Sequence, residues 1–312
     1  MRIEYHRTML ADGVRNRAFH ASLKRVIVPG QSIVADIGCG TGLLGFMAAK
    51  LGAKQVFMLE KAEIVDVARK LARHNGIRNI EIVPAHSAEV EPPMRCDVVV
   101  SETLGNYAFE ENIIETLADV RNRYLEPDGV LIPARVAQYV APVVAPKYHR
   151  DLSTWDEVGF GLDFEPAKTK GFNNLYVRTF APKDLLDDGK SAICWDRVDF
   201  MKQPKTARSG DASFTLRRPE TIGGVALWWT TELADGISLG TGPADPKTHW
   251  EQLYLPALEP LALATGETLR VKLRSTTSYA EGTNVKWTLS VLDAKGRERA
   301  KQALDLNKGF LP

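Results

Sequence analysis

The segment at residues 36–42 reads Asp36-Ile37-Gly38-Cys39-Gly40-Thr41-Gly42 and lies between two contrasting patterns. The apolar run 32–37 is typical of a buried strand, and the spacing over 43–51 is typical of a helix. The three glycines allow a tight turn and a close approach of the backbone to a ligand. Their spacing departs from the dinucleotide fingerprint G-x-G-x-x-G, in which the third glycine comes one residue later. The turn therefore favours a cofactor without a pyrophosphate, S-adenosylmethionine rather than NAD.

A carboxylate at the next strand end supports a nucleoside site. The apolar run 55–59 ends at Glu60, twenty residues beyond Gly40. A carboxylate at that position can accept hydrogen bonds from both hydroxyls of a ribose. The alternative is a purely structural turn in an unrelated α/β protein. Cys39 has no activating neighbour in the sequence, and we interpret it as a small packing residue.

Strand and helix patterns alternate through the first part of the chain. Further strand patterns cover 80–83, 96–100 and 130–132, helical patterns cover 62–74 and 113–124, and a turn is indicated at 126–129. This alternation predicts crossover units and a doubly wound parallel sheet. We predict a Rossmann-like S-adenosylmethionine-binding domain over residues 1–133.

The pattern changes after Pro133. Short strand patterns separated by turn signals recur at 136–144, 213–216, 224–232, 268–274 and 285–292. Such a series predicts an antiparallel sandwich or barrel. The segment 147–188 mixes aromatic and charged residues and indicates short helices. We therefore predict a β-barrel substrate domain over 134–312 with an inserted arm at about 147–188.

The composition of the 312-residue chain excludes several classes of protein. Lys and Arg number 40 against 39 Asp and Glu, and this net charge of +1 does not favour generic nucleic-acid binding. No apolar run reaches the roughly 18 residues of a membrane span, and the N-terminus lacks the apolar core of a secretory signal. Three widely spaced cysteines form neither a disulfide framework nor a metal site. We expect a cytoplasmic protein with no metal and no membrane or nucleic-acid partner.

Two glutamates flank a loop that follows the strand at 96–100. Glu102 and Glu111 are nine residues apart, and Gly105 and Asn106 permit a turn that returns the second beside the first. Two neighbouring carboxylates repel each other, so their juxtaposition indicates a bound cation. Two alternatives stay open: Glu111 caps the next helix, or Glu110 takes its place.

Three motifs in this order resemble the protein arginine methyltransferases. The loop has the family's form S-E-x-x-G-x(5)-E from Ser101 to Glu111, which selects Glu111 over Glu110. A Thr248-His249-Trp250 motif follows in the second domain. The third motif is an N-terminal H-x-x-M-L-x-D-x-x-R pattern formed by His6, Met9, Leu10, Asp12 and Arg15.

The resemblance implies S-adenosylmethionine as cofactor and an arginine in a protein or peptide as substrate. It implies that Glu102 and Glu111 bind the guanidinium, and that His249 pairs with Asp12. Trp250 and Tyr107 are expected to contact the substrate. Arg15 is expected on the methionine carboxylate and Glu60 on the ribose. The full set of cofactor residues is His6, Met9, Arg15, Asp36, Gly38, Gly40, Glu60, Ser87 and Ala88. The segment 155–164 resembles the arm through which these enzymes form homodimers.

Two positions depart from the family pattern. The family places a Glu against the adenine amino group, where this chain has Ala88 followed by Glu89. We expect either that Ser87 and backbone groups take over or that the register slips by one residue. The family's aromatic Y-F-x-x-Y segment is expected to be missing or different, since only five residues precede His6. Either weaker closure over the cofactor or a lid supplied by the substrate or a partner is then expected.

Other functions are compatible with parts of this pattern. The chain could methylate free arginine or another small guanidine, which needs the same two carboxylates. A catalytically silent scaffold would need none of Glu102, Glu111, Asp12 and His249 together. A methyltransferase for an uncharged oxygen or carbon nucleophile would not place two anions around its acceptor.

Overall fold

The computed structural model describes residues 3–92 and 94–310, and its first part contains a five-stranded sheet whose neighbouring strands are all parallel. In chain order the strands are β1 Ile33–Ile37, β2 Gln55–Leu59, β3 Ile80–Val83, β4 Cys96–Ser101 and β5 Leu125–Ile132. They lie in the order β3-β2-β1-β4-β5. The predicted Rossmann-like sheet is confirmed. Its order reverses between β1 and β4, and open parallel sheets bind ligands at the carboxyl ends beside such a point.

Five α-helices accompany this sheet within the described residues 3–92 and 94–133. They are α1 Ile3–Ala11, α2 Gly13–Val26, α3 Leu43–Lys50, α4 Val65–His74 and α5 Ile113–Arg123. In α4 the buried residues Val65, Ala68 and Ala72 follow the helical period, so one face packs on the sheet. The helices α1 and α2 were not predicted from the sequence, because neither carries a strong apolar stripe. The start of α2 is fixed instead by Asp12, whose side chain accepts a hydrogen bond from the Arg15 amide at 2.9 Å.

The turn predicted at 126–129 was wrong, because these residues lie inside β5. They form an irregularity in an edge strand: the pairing jumps from Cys96 with Leu125 to Val98 with Val130. An edge strand tolerates Pro127, whose missing N–H breaks no hydrogen bond to a neighbouring strand on the open side. The turn residues are therefore accommodated as a bulge rather than as the end of a strand.

The second part of the chain is antiparallel, which confirms the predicted all-β domain. Its strands are β6 Arg135–Val143, β7 Tyr176–Arg178, β8 Ile193–Asp199, β9 Ala207–Thr215, β10 Glu220–Ala234, β11 Ile237–Gly240, β12 Gln252–Leu263, β13 Thr268–Ser278, β14 Gly282–Leu292 and β15 Glu298–Asp305. One sheet has the order β7-β12-β10-β6-β8, with β11 paired to β10, and the other has the order β15-β14-β13-β9. One continuous apolar core runs through both parts of the chain.

The segment between β6 and β7 carries two short helices, α6 Lys147–Leu152 and α7 Glu165–Phe172. Three large apolar side chains near them are exposed: Trp155 at 38%, Phe160 at 94% and Leu162 at 63%. This concentration of exposed apolar area marks a surface suited to a partner. Across residues 3–92 and 94–310, no helix has both the length and the apolar character to span a membrane.

Candidate active site

A cavity of about 770 Å³ opens at the carboxyl edge of the parallel sheet, beside β1 and β4. Most of the residues predicted for the site line it together: His6, Met9, Arg15, Asp36, Gly38, Gly40, Glu60, Ser87, Glu102 and Glu111. Five others are absent from its lining: Asp12, Ala88, Tyr107, His249 and Trp250. Ala85 and His86 line the cavity in the region where Ala88 was expected to do so.

The glycine turn forms the floor of the cavity. Gly38 and Gly40 have φ angles of 72° and 54°, in the left-handed region that favours glycine. A Cβ on Gly38 would lie 3.1 Å from the Thr103 side chain, and one on Gly40 would lie 3.2 Å from the His6 ring. The Glu60 carboxylate accepts hydrogen bonds from the Gly40 amide at 3.0 Å and the Ala62 amide at 2.8 Å. The acidic strand end and the turn are therefore one hydrogen-bonded unit.

The buried side chain of Asp36 also stabilises the glycine turn. Its side chain is buried and accepts a hydrogen bond from the Gly45 amide at 2.8 Å, which ties β1 to the first turn of α3. Burial raises the pKa of Asp36 to about 7, and the negative charges of Glu60 and Glu102 act in the same direction. The carboxyl group is therefore largely protonated below neutral pH in the folded chain.

An Asp36→Asn variant should remove a pH dependence of stability. The folded chain keeps its proton up to about pH 7, whereas an unfolded chain releases it near pH 3.9. The wild-type protein thus loses stability as the pH rises between these values. We expect the variant to be more stable than wild type by about 4 kcal/mol at pH 8 and nearly equal in stability at pH 4. Urea unfolding without ligand at both pH values measures this, and an equal difference at both would contradict it.

The two-glutamate loop places Glu102 against the guanidinium group of Arg15. Arg15 donates to one oxygen of Glu102 from Nε at 2.7 Å and also from Nη2. The two side chains are only 7% and 4% exposed, and the other Glu102 oxygen accepts from the Leu104 amide at 3.2 Å. Glu102 is therefore a carboxylate that already binds a guanidinium.

Glu111 lines the cavity, whereas Glu110 turns into its own loop. The Glu110 carboxylate accepts from the Tyr107 amide at 2.6 Å and packs directly on Gly105, where any Cβ would collide with it. Partial burial raises the pKa of Glu111, and so do the negative charges of Glu102 and Glu60. The N-cap of α5 is Asn112, so Glu111 does not cap that helix. The cavity is thus lined by five acidic side chains, Asp36, Glu60, Glu63, Glu102 and Glu111, against Arg15 and Lys61, and favours a cation.

Asp12 and His249 join the two parts of the chain beside Arg15. The Asp12 carboxylate accepts from both the backbone amide and the Nδ1 atom of His249, each at 2.8 Å. Burial acts to raise the pKa of Asp12, but the hydrogen bonds from Arg15 and His249 outweigh it and lower the pKa. The first turn of α2, which carries Arg15, is therefore fixed to the second domain by an ionised carboxylate.

The second domain also holds the two-glutamate loop by its backbone. Trp250 Nε1 donates to the Leu104 carbonyl at 2.7 Å, and Trp229 Nε1 donates to the Gly105 carbonyl at 3.0 Å. Gln138 Nε2 donates to the Tyr107 carbonyl at 2.5 Å. Trp250 and Tyr107 are buried and do not line the cavity. Trp229 and Gln138 were not identified from the sequence, because they match no motif and lie far from the loop in the chain.

The cavity fits the cofactor indicated by the glycine turn. Seven buried side-chain polar atoms have no hydrogen-bond partner within the part of the chain that is described, and three of them belong to residues lining this cavity. These three are Ser87 Oγ, Thr103 Oγ1 and Asn112 Oδ1. Unpartnered buried polar atoms are uncommon and call for an unseen partner. A ligand with many polar groups, such as S-adenosylmethionine, would satisfy them.

Comparison with known proteins gives consistent matches. A family model described as "Arginine methyltransferase oligomerization subdomain" matches residues 134–290, half of the chain. A second, described as "Ribosomal protein L11 methyltransferase (PrmA)", matches residues 21–156. A probable protein arginine N-methyltransferase 1.2 of Arabidopsis thaliana is 28% identical over 85% of this chain and 74% of its own. A protein arginine N-methyltransferase 1 of Schizosaccharomyces pombe is 28% identical over 85% and 79%.

Two solved structures have a similar fold. The Trypanosoma brucei PRMT1 enzyme-prozyme heterotetrameric complex with AdoHcy gives a TM-score of 0.87 at 21% identity, covering 98% of both chains. Protein arginine methyltransferase 10 of Arabidopsis thaliana gives 0.82 at 20% identity, again covering 98% of both chains. At these identities the likeness concerns the fold alone.

Proposed function

The chain belongs to the protein arginine methyltransferase family, and we propose that it moves the methyl group of S-adenosylmethionine to a guanidino nitrogen of a protein or peptide arginine. The observation that carries the proposal is that Glu102 and Glu111 line the same cavity as the glycine turn. One of these carboxylates already binds the guanidinium of Arg15, which supports a site with affinity for that group. The function is therefore that of an S-adenosylmethionine-dependent arginine N-methyltransferase.

The residues that would hold the cofactor surround the glycine turn. Gly38 and Gly40 would lie beneath it, Glu60 would accept hydrogen bonds from the ribose, and Ser87 would face the nucleoside. Arg15 has five N–H donors, of which three serve Glu102 and Asn16. The remaining donors suit the amino-acid carboxylate. When bound, S-adenosylmethionine supplies a methyl group activated by a sulfonium.

The two glutamates would orient and activate the acceptor. A guanidinium is protonated at any cellular pH and delocalises its lone pairs, so it is a poor nucleophile. A carboxylate on one edge fixes its plane and aims a terminal nitrogen. A second carboxylate draws positive charge to the other nitrogens and stabilises the charge that the acceptor gains. Glu102 and Glu111 are suited to these two tasks.

The substrate class is tested with labelled S-adenosylmethionine. We expect methyl transfer to an arginine-glycine-rich peptide and none to free arginine at the same concentration. The Glu111→Gln protein provides the background rate. Transfer to free arginine alone would replace the peptide by a small guanidine as the substrate, and no transfer to either, with cofactor bound, would indicate a scaffold.

The exposed arm supports a homodimer. Trp155, Phe160 and Leu162 present large apolar side chains to solvent on the segment between α6 and α7. The family model that covers this segment is itself described as an oligomerization subdomain. We therefore propose that the arm of one copy docks on a second copy.

Removing the arm's apolar tip should yield monomers. Deleting residues 155–164, or replacing Phe160 and Leu162 by Ser, removes the area whose burial would drive association. Light scattering should report half the mass of the wild-type particle. Phe310→Ser changes an aromatic residue outside the arm that is 62% exposed, close to the 63% of Leu162, and should leave the mass unchanged. An unchanged mass in both arm variants would remove the arm from the interface.

A further inference from the structure

The hairpin between β13 and β14 reaches from the second domain onto the cofactor cavity. Tyr279 lies at its tip and is part of the cavity lining, although no motif in the sequence points to it. Its hydroxyl is 2.7 Å from Thr116 Oγ1 and 3.1 Å from His86 Nε2. Its backbone amide donates to Glu115 at 2.6 Å. Three hydrogen bonds thus fix this tip to the first domain.

We propose that Tyr279 forms a binding wall for the adenine-ribosyl part of the cofactor, so that the second domain contributes directly to cofactor affinity. This inference rests on the proposed S-adenosylmethionine dependence. It adds a cofactor contact from outside the parallel-sheet domain.

The sheet order indicates which end of the cofactor Tyr279 faces. The glycine turn follows β1, Glu60 follows β2, and His86 lies in the loop after β3. A ribose held at Glu60, with the amino-acid end towards Arg15 and β4, directs its base towards the β3 side. His86 and Tyr279 meet on that side, with ring centroids 5.9 Å apart and planes at 79°. The pair therefore lies at the nucleoside end.

Tyr279 has the properties of a preorganised contact. It is 52% exposed, so the hydrogen bonds rather than core packing hold it in place. A flat aromatic side chain offers apolar area and a π-face to a base. Because the hydroxyl and the amide are already anchored, little ordering remains to oppose binding. The unpartnered Ser87 hydroxyl lies in the same loop as His86 and gives this end a polar group for the nucleoside.

Titration calorimetry on the 312-residue chain tests the proposal with two ligands. S-adenosylhomocysteine carries both the nucleoside and the amino-acid end, whereas 5′-methylthioadenosine carries only the nucleoside. We expect Tyr279→Ala to raise the Kd of both ligands by about tenfold, within the range found for aromatic residues that stack on bases. Tyr279→Phe, which keeps the ring but loses two hydrogen bonds, should raise both values by roughly threefold.

Two further variants complete the comparison. Glu281→Gln changes an exposed neighbour in the same hairpin and should leave both Kd values unchanged. Tyr279→Leu keeps apolar bulk without an aromatic face, and it replaces the alanine variant if that protein fails to fold. It should weaken both ligands by about fivefold.

Values within twofold of wild type for Tyr279→Ala and Tyr279→Leu would overturn the inference. The inference would also be overturned if only the Kd for S-adenosylhomocysteine increased, because that result would place Tyr279 at the amino-acid end of the cofactor. A wild-type protein that binds neither ligand would instead contradict the proposed function.

Discussion

A Glu111→Gln variant should lose roughly 10²- to 10³-fold in kcat, with its Kd for S-adenosylhomocysteine close to the wild-type value. The substitution keeps the size of the side chain and removes one of the two negative charges assigned to the acceptor. That charge matters most when the acceptor gains positive charge, so turnover suffers more than binding. Single-turnover methylation of an arginine-glycine-rich peptide measures the chemical step, and calorimetry measures cofactor affinity.

The neighbouring glutamate provides a matched control. Glu110→Gln makes the same substitution one residue earlier, in a side chain that turns back onto Gly105 and the Tyr107 amide. We expect its kcat to stay within about threefold of wild type, since a glutamine oxygen can still accept from that amide. Equal losses in the two variants would mean that the loop responds to net charge, and the role assigned to Glu111 would fail.

Replacing Glu102 is a less direct test of the role of the two carboxylates in binding the acceptor. Replacing it by Gln leaves the buried Arg15 guanidinium without its anionic partner, and such a change costs about 3–5 kcal/mol of stability. The turnover number and the stability of the protein would then decrease together, and the two effects could not be separated. Glu111, whose pKa is raised by partial burial and by neighbouring anions, has no such internal partner among the described residues.

Breaking the contact between Asp12 and His249 should have the second-largest effect. In Asp12→Asn an NH2 group replaces one carboxylate oxygen, and an NH2 group cannot accept a hydrogen bond. At least one of the buried donors on Arg15 and His249 therefore loses its partner. We expect roughly 10- to 100-fold lower kcat and about 2 kcal/mol lower stability. His249→Ala and the double variant should cost about the same as Asp12→Asn, because residues that act as one unit are non-additive.

The pH profile separates two roles for this pair. If the pair only positions Arg15 and α2, removing His249 lowers kcat by the same factor at every pH. A proton relay to solvent instead changes the pH dependence of kcat when His249 is removed. Additive losses in the double variant would contradict both roles, since each requires the two side chains to act together.

The sequence predicted the parts of the fold that depend on local patterns. The glycine turn and the alternating apolar runs identified the parallel sheet, and the turn-separated runs identified the antiparallel domain. The strands β7, β8, β11, β12 and β15 were missed. In β15 the residues Glu298, Arg299, Lys301 and Gln302 are polar and only Leu304 is buried, which gives little apolar signal. Pro256 and Pro260 interrupt the pattern of β12, although that strand is long. The domain limits at 133/134 stay a prediction.

The candidate site was predictable only where a motif marks it. The S-E-x-x-G-x(5)-E spacing selected Glu111 over Glu110, and the structure places Glu111 in the cavity and turns Glu110 away. The residues that hold the loop could not be found in this way. Trp229 and Trp250 contact carbonyls 124 and 146 residues earlier in the chain, and Tyr279 reaches Thr116 across 163 residues. Such contacts arise from tertiary packing and leave no local periodicity. The roles assigned to the site residues stay predictions.

The two indole donors give the enzyme a built-in optical reporter. Trp229 and Trp250 are two of only six tryptophans, and both lie against the carbonyls that shape the two-glutamate loop. The part of the emission that comes from these two rings, rather than from the other four tryptophans, therefore follows the integrity of the loop. Mild heating that loosens the second domain would red-shift the emission and silence methylation early. The glycine turn, whose hydrogen bonds with Glu60 lie within the first domain, would persist at that temperature but, without Tyr279, would bind the nucleoside more weakly.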